Sequence, residues 1–500
     1  MDLAVTTSVD GVFAPKLDRT TTESLREQIR RHLAGLIESR KLPPGAPLPP
    51  VRALAAVLGV NPMTVAKAYR ELAVAGLVEG RGRSGTRVRT ARSSPASSHR
   101  GLLRDRHARV STSERLFELA RAPNVIALTG NYPRPEDSGA PEFQACMAEL
   151  VSGALATNYF RYDPPAGRRE LQESVSGFVA SSGIVCPPGR VIITAGGQQA
   201  IDLVLRSVGQ RGGGVVVERP AYFGMLNAVR SAALRAYEVP VGPAGMDLDI
   251  LESVLEQQRP RLICVNPTFH NPTGTTMPLE NRRRLLSLAR QHGALILEDD
   301  HCPELRFDGE QVPALAALEG AADLVFYARG FGKAFVPGVR LGFLLVPVSH
   351  LRPLLATKAA ADLQSTALMQ GALARFFARG HHRTATDRLL AAYAPRREQL
   401  LRALADCLPQ AMRVHESAGG LSLWLTMDRA APTSELYYCA ASHGVAFASG
   451  EAFYARPPAE LALRISFGLT PPKQMAEAAE RLGNSLRDLL ERGIAPPLPV

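Results

Sequence analysis

The sequence has only six cysteines in 500 residues, and they lack the spacings that metal sites and disulfide frameworks need. They are scattered along the chain, no Cys-x-x-Cys pair occurs, and no His and Cys residues cluster at metal-ligand spacing. This pattern fits a reducing cytoplasm and argues against a zinc site or a small disulfide-bonded fold. We therefore expect no bound metal.

Long apolar runs are also missing. No stretch of about 18 apolar residues is present, which is the length that a membrane-spanning helix needs. The first residues are polar and lack the basic and apolar regions of a signal peptide. We expect no membrane partner and a cytoplasmic location. The hydrophobic share of 46% is that of a globular chain long enough for more than one domain.

The positive charge is confined to one end of the chain. Residues 1–110 contain 19 Lys and Arg against 9 Asp and Glu, so this part carries +10 of the total net charge of +11. A basic N-terminal part on a neutral remainder indicates a module that binds a polyanion, joined to a domain with another task.

Three short helices are predicted in the basic part. Residues 22–40 have apolar positions at helical spacing, and the prolines that follow end this helix. A second helix over residues 50–58 should bury Leu54, Val57 and Leu58. Asn61 is a suitable N-cap for a third helix, which has proline at its first position.

Residues 77–89 follow with the pattern of a hairpin whose tip is rich in glycine and arginine. Three helices and a basic hairpin make a winged helix-turn-helix, in which the third helix enters the major groove of DNA. A small helical domain with a solvated basic face is the alternative. The candidate DNA-binding residues on the third helix and the hairpin tip are Asn61, Thr64, Lys67, Arg70, Arg81 and Arg83.

The segments Leu42-Pro-Pro-Gly, Leu48-Pro-Pro-Val-Arg-Ala-Leu-Ala and Leu58-Gly-Val-Asn-Pro-Met-Thr-Val-Ala-Lys resemble the GntR-family DNA-binding domain. The resemblance implies a double-stranded DNA partner, such as a promoter or operator. We place this domain at residues 15–90. Residues 91–122, which begin with a Ser- and Pro-rich stretch, are predicted to be a flexible linker.

In residues 123–500 short apolar strands alternate with helical segments, which is typical of an α/β fold with a mainly parallel sheet. Ligands of such sheets bind beyond the carboxyl ends of the strands. The predicted strands are residues 191–194, 215–218, 262–265, 294–297 and 324–327.

Lys333 follows the last of these strands in a glycine-rich loop. Desolvation disfavours the ammonium form of a lysine there and makes it a plausible nucleophile for an aldehyde. Arg340 comes after a Pro-Gly turn and can fold back to hold an anion. A lysine with a phosphate-holding arginine is what a pyridoxal phosphate (PLP) Schiff base requires. A surface loop with ordinary charges is the alternative.

The other strand ends supply further groups that PLP needs. Gly196 and Gly197 can present backbone N–H groups and a helix N-terminus to a phosphate. Tyr222 can stack on a planar ring, and Asn271 can donate to a phenolate oxygen. The carboxylates of Glu298-Asp-Asp can pair with a pyridinium nitrogen and keep it protonated.

The segments Asn271-Pro-Thr-Gly and Glu298-Asp-Asp, and Lys333 with Arg340, resemble the class I/II aminotransferase family of PLP fold type I. The resemblance implies a large domain with a mostly parallel sheet and a small C-terminal α+β domain. The roles it implies are the PLP Schiff base for Lys333; phosphate binding for Gly196, Gly197, Gln198 and Arg340; ring contacts for Tyr222, Asn271 and Asp299; the phosphate of the partner subunit for Tyr162; and the carboxylate of a substrate or effector for Arg464.

Two departures from that family pattern concern the cofactor. His301 stands two residues after Asp299, where family members usually have a tyrosine near the cofactor oxygen. Gly330 and Gly332 stand where hydroxyl residues usually bind phosphate. His301 can bond the ring oxygen, but it titrates near neutrality and is not an equivalent group. These losses weaken transamination more than they weaken PLP binding.

The GntR-type head, the linker and the aminotransferase-like body together resemble the MocR/GabR-type transcriptional regulators. This resemblance implies a head-to-tail homodimer that binds DNA and senses PLP itself, hence vitamin B6 control, or an amino compound through an aldimine at Lys333. The altered Lys333 loop and His301 favour PLP, whereas Arg464 favours an amino acid. A genuine PLP-dependent aminotransferase with an appended DNA-binding head is the alternative; for the regulator we expect at most slow transaminase half-reactions.

Overall fold

A computed structural model describes most of the chain, and the described residues fall into two compact units, Met1–Ser98 and His99–Val500, here called the head and the body. The described residues are 24–39, 41–43, 45–74, 77–80, 86–88, 120–122, 124–153, 156–428, 433–456 and 460–491, with Phe13, Pro15, Leu17, Asp18, Thr21 and Pro458. No described helix is long and apolar enough to cross a membrane. The predicted linker lies outside these residues except for its last three, so it stays a prediction, as do the domain boundaries.

The head has the predicted order of three helices and a hairpin. Its elements are α1 Leu25–Glu38, α2 Val51–Leu58, α3 Pro62–Val74, β1 Val78–Gly80 and β2 Thr86–Val88. The two strands pair antiparallel, with Val78 opposite Val88. Met63 N donates to Asn61 Oδ1 at 2.8 Å, which confirms Asn61 as the N-cap of α3.

The helices of the head close over a small apolar core. Leu33 of α1, Leu54 of α2 and Leu72 of α3 are fully buried. The Tyr69 hydroxyl donates to Pro49 O at 2.8 Å and so joins α3 to the turn before α2. The prediction that Val57 is buried is wrong, because α2 turns Leu54 and Ala55 inward and leaves Val57 55% exposed.

The body contains eleven helices and thirteen strands among its described residues. The helices are α4 Ala140–Ser152, α5 Arg169–Ala180, α6 Gly197–Val208, α7 Phe223–Ser231, α8 Leu248–Gln258, α9 Leu279–Gln291, α10 Leu351–Asp362, α11 Ala367–Ala378, α12 His381–Cys407, α13 Thr433–Ser442 and α14 Met475–Glu491. The strands are β3 Ile126–Leu128, β4 Val191–Thr194, β5 Gly214–Arg219, β6 Arg235–Gly242, β7 Gly245–Met246, β8 Leu262–Val265, β9 Leu295–Asp299, β10 Val325–Gly330, β11 Gly342–Leu345, β12 Arg413–His415, β13 Ser422–Met427, β14 Val445–Ser449 and β15 Leu461–Ser466.

Eight strands form one large sheet in the order β4-β11-β10-β9-β8-β5-β6-β7. Strands β10, β9, β8, β5 and β6 pair parallel to one another. Strand β11 pairs antiparallel to both β10 and β4, so β4 runs in the same direction as β10. The mostly parallel sheet is confirmed, and the five predicted strands are present with ends that differ by at most three residues.

Both faces of the large sheet are covered. In β4 the neighbouring residues Ile192 and Ile193 point into different cores, Ile192 with Val204 of α6 and Ile193 with Val175 of α5. A strand buried on both faces needs apolar side chains at every position. This explains the apolar run of residues 191–193 in β4.

A second sheet of five strands, in the order β12-β13-β15-β14-β3, forms a smaller α+β domain. Its core contains Leu423, Phe447, Leu463 and Leu482, all fully buried. The predicted small C-terminal domain is thus confirmed. Strand β3 comes from the start of the body and pairs parallel with β14, a contact that the sequence pattern did not predict.

Candidate functional site

A cavity of about 460 Å³ lies at the carboxyl ends of the large sheet, where the turns after β4, β5, β9 and β10 meet. Its lining residues are Gly196, Gly197, Gln198, Ile201, Tyr222, Phe223, Gly224, Asn227, Asp299, His301, Gly330, Lys333 and Arg340. Eight of the eleven site residues predicted in the body are in this lining. The other three are Asn271, Arg464 and Tyr162.

Lys333 lies on the wall of this cavity, and its Nζ is 5.7 Å from the centroid of the Tyr222 ring. Desolvation lowers the pKa of Lys333, against the opposing effect of the nearby Cys302 and Asp299, which favour the charged form. Because a neutral amine is the nucleophilic form of lysine, this environment prepares Lys333 to attack a carbonyl carbon.

Asp299 ends strand β9 and is buried. Desolvation raises the pKa of Asp299 to about 6, although the positive charge of Lys333 acts in the opposite direction. The carboxyl group therefore carries a negative charge at neutral pH. It lies in the same cavity as Lys333, and its negative charge favours the charged form of that amine.

His301 is buried, and burial together with the positive charge of Lys333 holds its pKa well below the ordinary value. The expectation that His301 titrates near neutrality is therefore wrong, and the ring is neutral at pH 7. Asn271 N donates to Asn266 Oδ1 at 2.6 Å, which leaves the amide nitrogen of Asn266 facing His301 Nδ1 at 3.3 Å. Since an amide nitrogen only donates, Nδ1 accepts and Nε2 carries the proton.

The turn between β4 and α6 approaches other atoms closely. Gly196 has φ +99°, and a Cβ there would lie 3.4 Å from Arg340 Nη2. Arg340 Nη2 also donates to Ala195 O at 3.4 Å. Helix α6 starts at Gly197, so its first backbone N–H groups have no partners within the helix. Together with the Arg340 guanidinium, they form a place for an anion.

Gly224 lines the cavity next to Gln198 and Tyr222. A Cβ there would lie 2.3 Å from Gln198 Oε1 and 2.5 Å from the Tyr222 ring. Gln198 Nε2 donates to Gly224 O at 2.8 Å, which fixes its amide beside the ring. Any side chain at this position would therefore displace two residues of the cavity wall.

Close packing against backbone atoms explains why glycine stands at positions 330 and 332 near Lys333. A Cβ at Gly330 would lie 3.1 Å from Gly197 N, and one at Gly332 would lie 3.1 Å from Pro337 O. Serine or threonine at either position would have to push these backbone atoms apart. Gly330 thus allows a close approach to the glycine turn, and Gly332 allows a close approach to Pro337 within the same loop.

Arg464 and Asn271 are outside the cavity lining but bonded to each other. Arg464 Nη1 donates to Asn271 Oδ1 at 2.8 Å, and Nη2 donates to Thr129 O at 3.2 Å. Arg464 lies in β15, an interior strand of the smaller sheet between β13 and β14. Its positive charge lowers the pKa of Lys333, so the two groups are electrostatically coupled.

Tyr162 does not join this cavity. Its side chain is 86% exposed, in a loop that is held by the ion pair between Arg168 Nη1 and Asp163 Oδ2 at 2.8 Å. The tyrosine is thus available to another molecule and makes no part of the site within its own chain.

Sequence reasoning missed a buried pair beneath the site. Glu218 Oε2 lies 3.3 Å from His270 Nε2 and accepts from Asn266 N at 2.9 Å. The charge of Glu218 raises the pKa of Asp299, whereas that of His270 lowers it. A glutamate at the end of an apolar strand was the available signal for this pair.

The predicted DNA-binding residues are described only in part. Asn61 and Lys67 are exposed and Thr64 is half-buried, at the start and on the outer side of α3. Arg70 belongs to α3, but its side chain lies outside the described part of the structure, as do residues 81–85 with Arg81 and Arg83. Their contacts with DNA stay predictions.

The buried carboxyl group of Asp299 predicts a pH dependence of stability. Its pKa is about 6 in the folded protein and about 3.9 in an unfolded chain. The folded state therefore binds the extra proton between these values, and the stability contributed by this group falls as the pH rises through that window. Asp299→Asn should stabilise the cofactor-free protein at pH 7 by up to roughly 3 kcal/mol and change little near pH 4.

Urea denaturation of the wild type and Asp299→Asn across this pH range measures the effect. Asp323→Asn, at an exposed aspartate, is the matched control and should follow the wild type at every pH. A gain from Asp299→Asn that is the same at low and neutral pH would contradict the burial argument.

Comparison with known proteins agrees with the two units of the fold. The family described as "Aminotransferase class I and II" matches residues 123–482, and the family described as "Bacterial regulatory proteins, gntR family" matches residues 25–88. A 2-aminoadipate transaminase of Thermus thermophilus is 32% identical over 384 residues, which are 76% of this chain and 94% of that enzyme.

Some relatives span both units. The probable rhizopine catabolism regulatory protein MocR of Rhizobium meliloti is 30% identical over 493 residues, which are 96% of this chain and 97% of that protein. Among solved structures, α-aminoadipate aminotransferase LysN of Thermus thermophilus, complexed with N-(5'-phosphopyridoxyl)-L-leucine, matches with a TM-score of 0.72 and 31% identity over 77% of this chain and 96% of its own. The chain therefore belongs to the MocR family of GntR-type transcriptional regulators, which join a GntR helix-turn-helix domain to an aminotransferase class I and II domain.

Proposed function

We propose that this protein regulates transcription by binding promoter DNA through its head and PLP through Lys333 of its body. The observation that carries the proposal is the meeting of Lys333, Asp299, Tyr222 and the Gly196–Gly197 turn in one cavity. The winged helix-turn-helix of the head supplies the DNA-binding part. Because its target is DNA, we expect the protein to act in the cytoplasm.

The residues of the cavity fit PLP. The N-terminus of α6 with Arg340 suits the phosphate, and a Cβ at Gly196 would stand in contact with the Arg340 guanidinium. When bound, PLP supplies an aldehyde that reacts with amines and an electron-withdrawing ring. Gln198 lies beside both Gly224 and Tyr222 and is assigned to the phosphate side of the cavity.

The chain's own groups have complementary tasks at the ring. Lys333 provides the amine, in the more neutral form that desolvation favours. Asp299 is negatively charged at pH 7 and is suited to hold a proton on the ring nitrogen. His301 would present Nε2–H as a donor to the ring oxygen, with Asn271 as a second group, and Tyr222 would stack on the ring face.

Two kinds of effector suit this arrangement. PLP itself, and hence control of vitamin B6 genes, is favoured because His301 and the glycines of the Lys333 loop replace groups that efficient transamination uses. Arg464 is buried with its guanidinium bonded to Asn271, and it is suited to the carboxylate of an amino acid. The carboxylate of an amino acid effector would therefore replace Asn271 as a partner of the Arg464 guanidinium.

We further propose a head-to-tail homodimer. The exposed Tyr162 would reach the phosphate site of the partner subunit, and Phe160 nearby is 70% exposed. Two exposed aromatic side chains in one loop are typical of an interface. In such a dimer each cofactor site would be completed by the other chain.

Binding of DNA is expected to depend on Lys67. This residue is exposed on α3, and a lysine that contacts a phosphate contributes through counterion release. Lys67→Ala should weaken binding to the protein's own upstream region and to unrelated DNA by the same factor. It should also make the slope of log K against log salt concentration shallower by about 0.9.

Fluorescence anisotropy with the upstream fragment at several salt concentrations measures this slope. Lys41→Ala removes the same charge from another exposed lysine of the head and is the matched control. A slope for Lys67→Ala equal to that of the wild type would exclude a phosphate contact at Lys67. If the wild type does not prefer its upstream region to unrelated DNA, the regulatory proposal fails.

Covalent binding of PLP is expected at Lys333. The wild type should keep about one PLP per chain after borohydride reduction and dialysis, since the reduced link to a lysine is permanent. Lys333→Ala should keep none, and Lys473→Ala, at an exposed lysine, should behave as the wild type. Peptide mapping by mass spectrometry identifies the modified residue; a label spread over several lysines would contradict a dedicated site.

A further inference from the structure

Lys358 of α10 is a fully buried lysine outside the lining of the Lys333 cavity. Its Nζ donates to both carboxylate oxygens of Asp362, at 2.8 and 2.9 Å, and to Ser365 Oγ at 3.3 Å. A buried ammonium group is costly unless it is paired. The proposed function assigns no task to this ion pair.

Gln199 joins the ion pair to the glycine turn after β4. Its Nε2 donates to Asp362 Oδ2 at 2.8 Å, and its Oε1 accepts from Ala195 N at 2.7 Å. A backbone N–H only donates and a carboxylate only accepts, so both ends of the amide have fixed roles. A chain of hydrogen bonds thus leads from the buried ammonium group to the backbone of Ala195.

Ala195 directly precedes Gly196, and both of its backbone polar groups are bonded. Gln199 accepts from its N–H, and Arg340 Nη2 donates to its carbonyl oxygen at 3.4 Å. The Thr194 hydroxyl donates to Gly196 O at 3.1 Å. Glycine restrains the backbone less than any other residue, so a turn with two glycines depends on its neighbours for a fixed shape. These bonds supply that restraint.

The Asp362 carboxylate is held from both sides. Its side chain is 25% exposed, so without the buried Lys358 it would turn towards water and away from Gln199. A glutamine in the first turn of a helix can bond a backbone N–H before the helix, as in a capping box. Capping of α6 explains the bond to Ala195, but it leaves the buried ion pair behind Gln199 unexplained.

We propose that Gln199, Asp362 and Lys358 are positioning residues that hold the Gly196–Gly197 turn in the shape that receives the phosphate of PLP. Each residue holds the next, from the buried lysine to the glutamine at the turn. Loss of one bond would let the backbone N–H groups of the turn rotate away from the phosphate. The groups that face the aldehyde and the ring would stay in place. The inference rests on the proposed function, because it concerns the phosphate of that cofactor.

Two variants break the chain of hydrogen bonds with different changes of charge. Gln199→Met removes both bonds of the amide and leaves the charge unchanged. Asp362→Ala removes the acceptor of Gln199 Nε2 together with a negative charge. A purely electrostatic effect of Asp362→Ala would strengthen the binding of an anion at the turn. Positioning predicts the opposite, so both variants should weaken the binding of a phosphate.

The double variant Gln199→Glu with Asp362→Asn exchanges the amide and the carboxylate. The new carboxylate at position 199 can accept from Ala195 N and from the new amide at position 362, whose oxygen can accept from Lys358. The chain of bonds and the total charge are kept, so this variant should behave as the wild type. Gln257→Met, at an exposed glutamine of α8, is the matched control for Gln199→Met.

The experiment is titration of cofactor-free protein with PLP and with pyridoxal, which has the same aldehyde and ring but no phosphate. Absorbance gives both dissociation constants, and the ratio of that for pyridoxal to that for PLP measures the contribution of the phosphate. We expect this ratio to be at least about tenfold smaller for Gln199→Met and Asp362→Ala, with pyridoxal binding within about twofold of the wild type. The double variant and Gln257→Met should keep the ratio of the wild type.

An unchanged ratio in Gln199→Met, shown by circular dichroism to be folded, would overturn the proposal. So would equal weakening of PLP and pyridoxal, which indicates general damage to the cavity, or tighter PLP binding to Asp362→Ala. A double variant with a ratio as small as that of Gln199→Met would also overturn it. If Asp362→Ala leaves Lys358 unpaired and unfolds, Gln199→Met and the double variant still decide.

A wild type that binds no PLP contradicts the proposed function itself. In that case inorganic phosphate is titrated calorimetrically into the wild type and Gln199→Met. Weaker phosphate binding to Gln199→Met would still support the positioning of the turn. Equal affinity of the two proteins for phosphate, or no binding to either, would overturn it.

Discussion

Six strands of the large sheet run in one direction, and this common direction puts their carboxyl ends along one edge. Residues far apart in sequence meet there because each follows a different strand. Gly196 follows β4, Tyr222 follows β5, Asp299 ends β9 and Lys333 follows β10. The site therefore depends on sheet direction first and on side-chain chemistry second.

Burial gives the two central groups opposite tendencies. It raises the pKa of Asp299 and lowers that of Lys333, so each would lose its charge alone. The attraction between the two charges opposes both shifts. The Glu218–His270 pair and Arg464 adjust this balance from outside the cavity. A ligand that changes the charge of one of these groups would therefore shift the pKa values of the others.

The sequence predicted those features that local pattern encodes. The five strands were found because a strand covered on both faces is a continuous apolar run, as in β4. The N-cap at Asn61 was found because its side chain bonds within its own turn. The family motifs identified most of the residues that line the Lys333 cavity. The roles of these residues are proposals.

Features that depend on distant contacts were not predictable. Val57 was assigned to the core because helical spacing alone cannot tell which side of a short helix faces inward. The pairing of β3 with β14 joins segments more than 300 residues apart. The neutral state of His301 follows from burial and from the Lys333 charge, and the close approach of Gly330 to Gly197 exists only in the folded chain.

The most direct test of signalling from Lys333 to DNA is a gel shift with the protein's own upstream region. Cofactor-free protein, protein with PLP, and Lys333→Ala with PLP are compared at one salt concentration. If the body controls the head through PLP on Lys333, PLP changes the affinity of the wild type and leaves that of Lys333→Ala unchanged. An equal effect of PLP on both proteins, or no effect on either, would contradict that coupling.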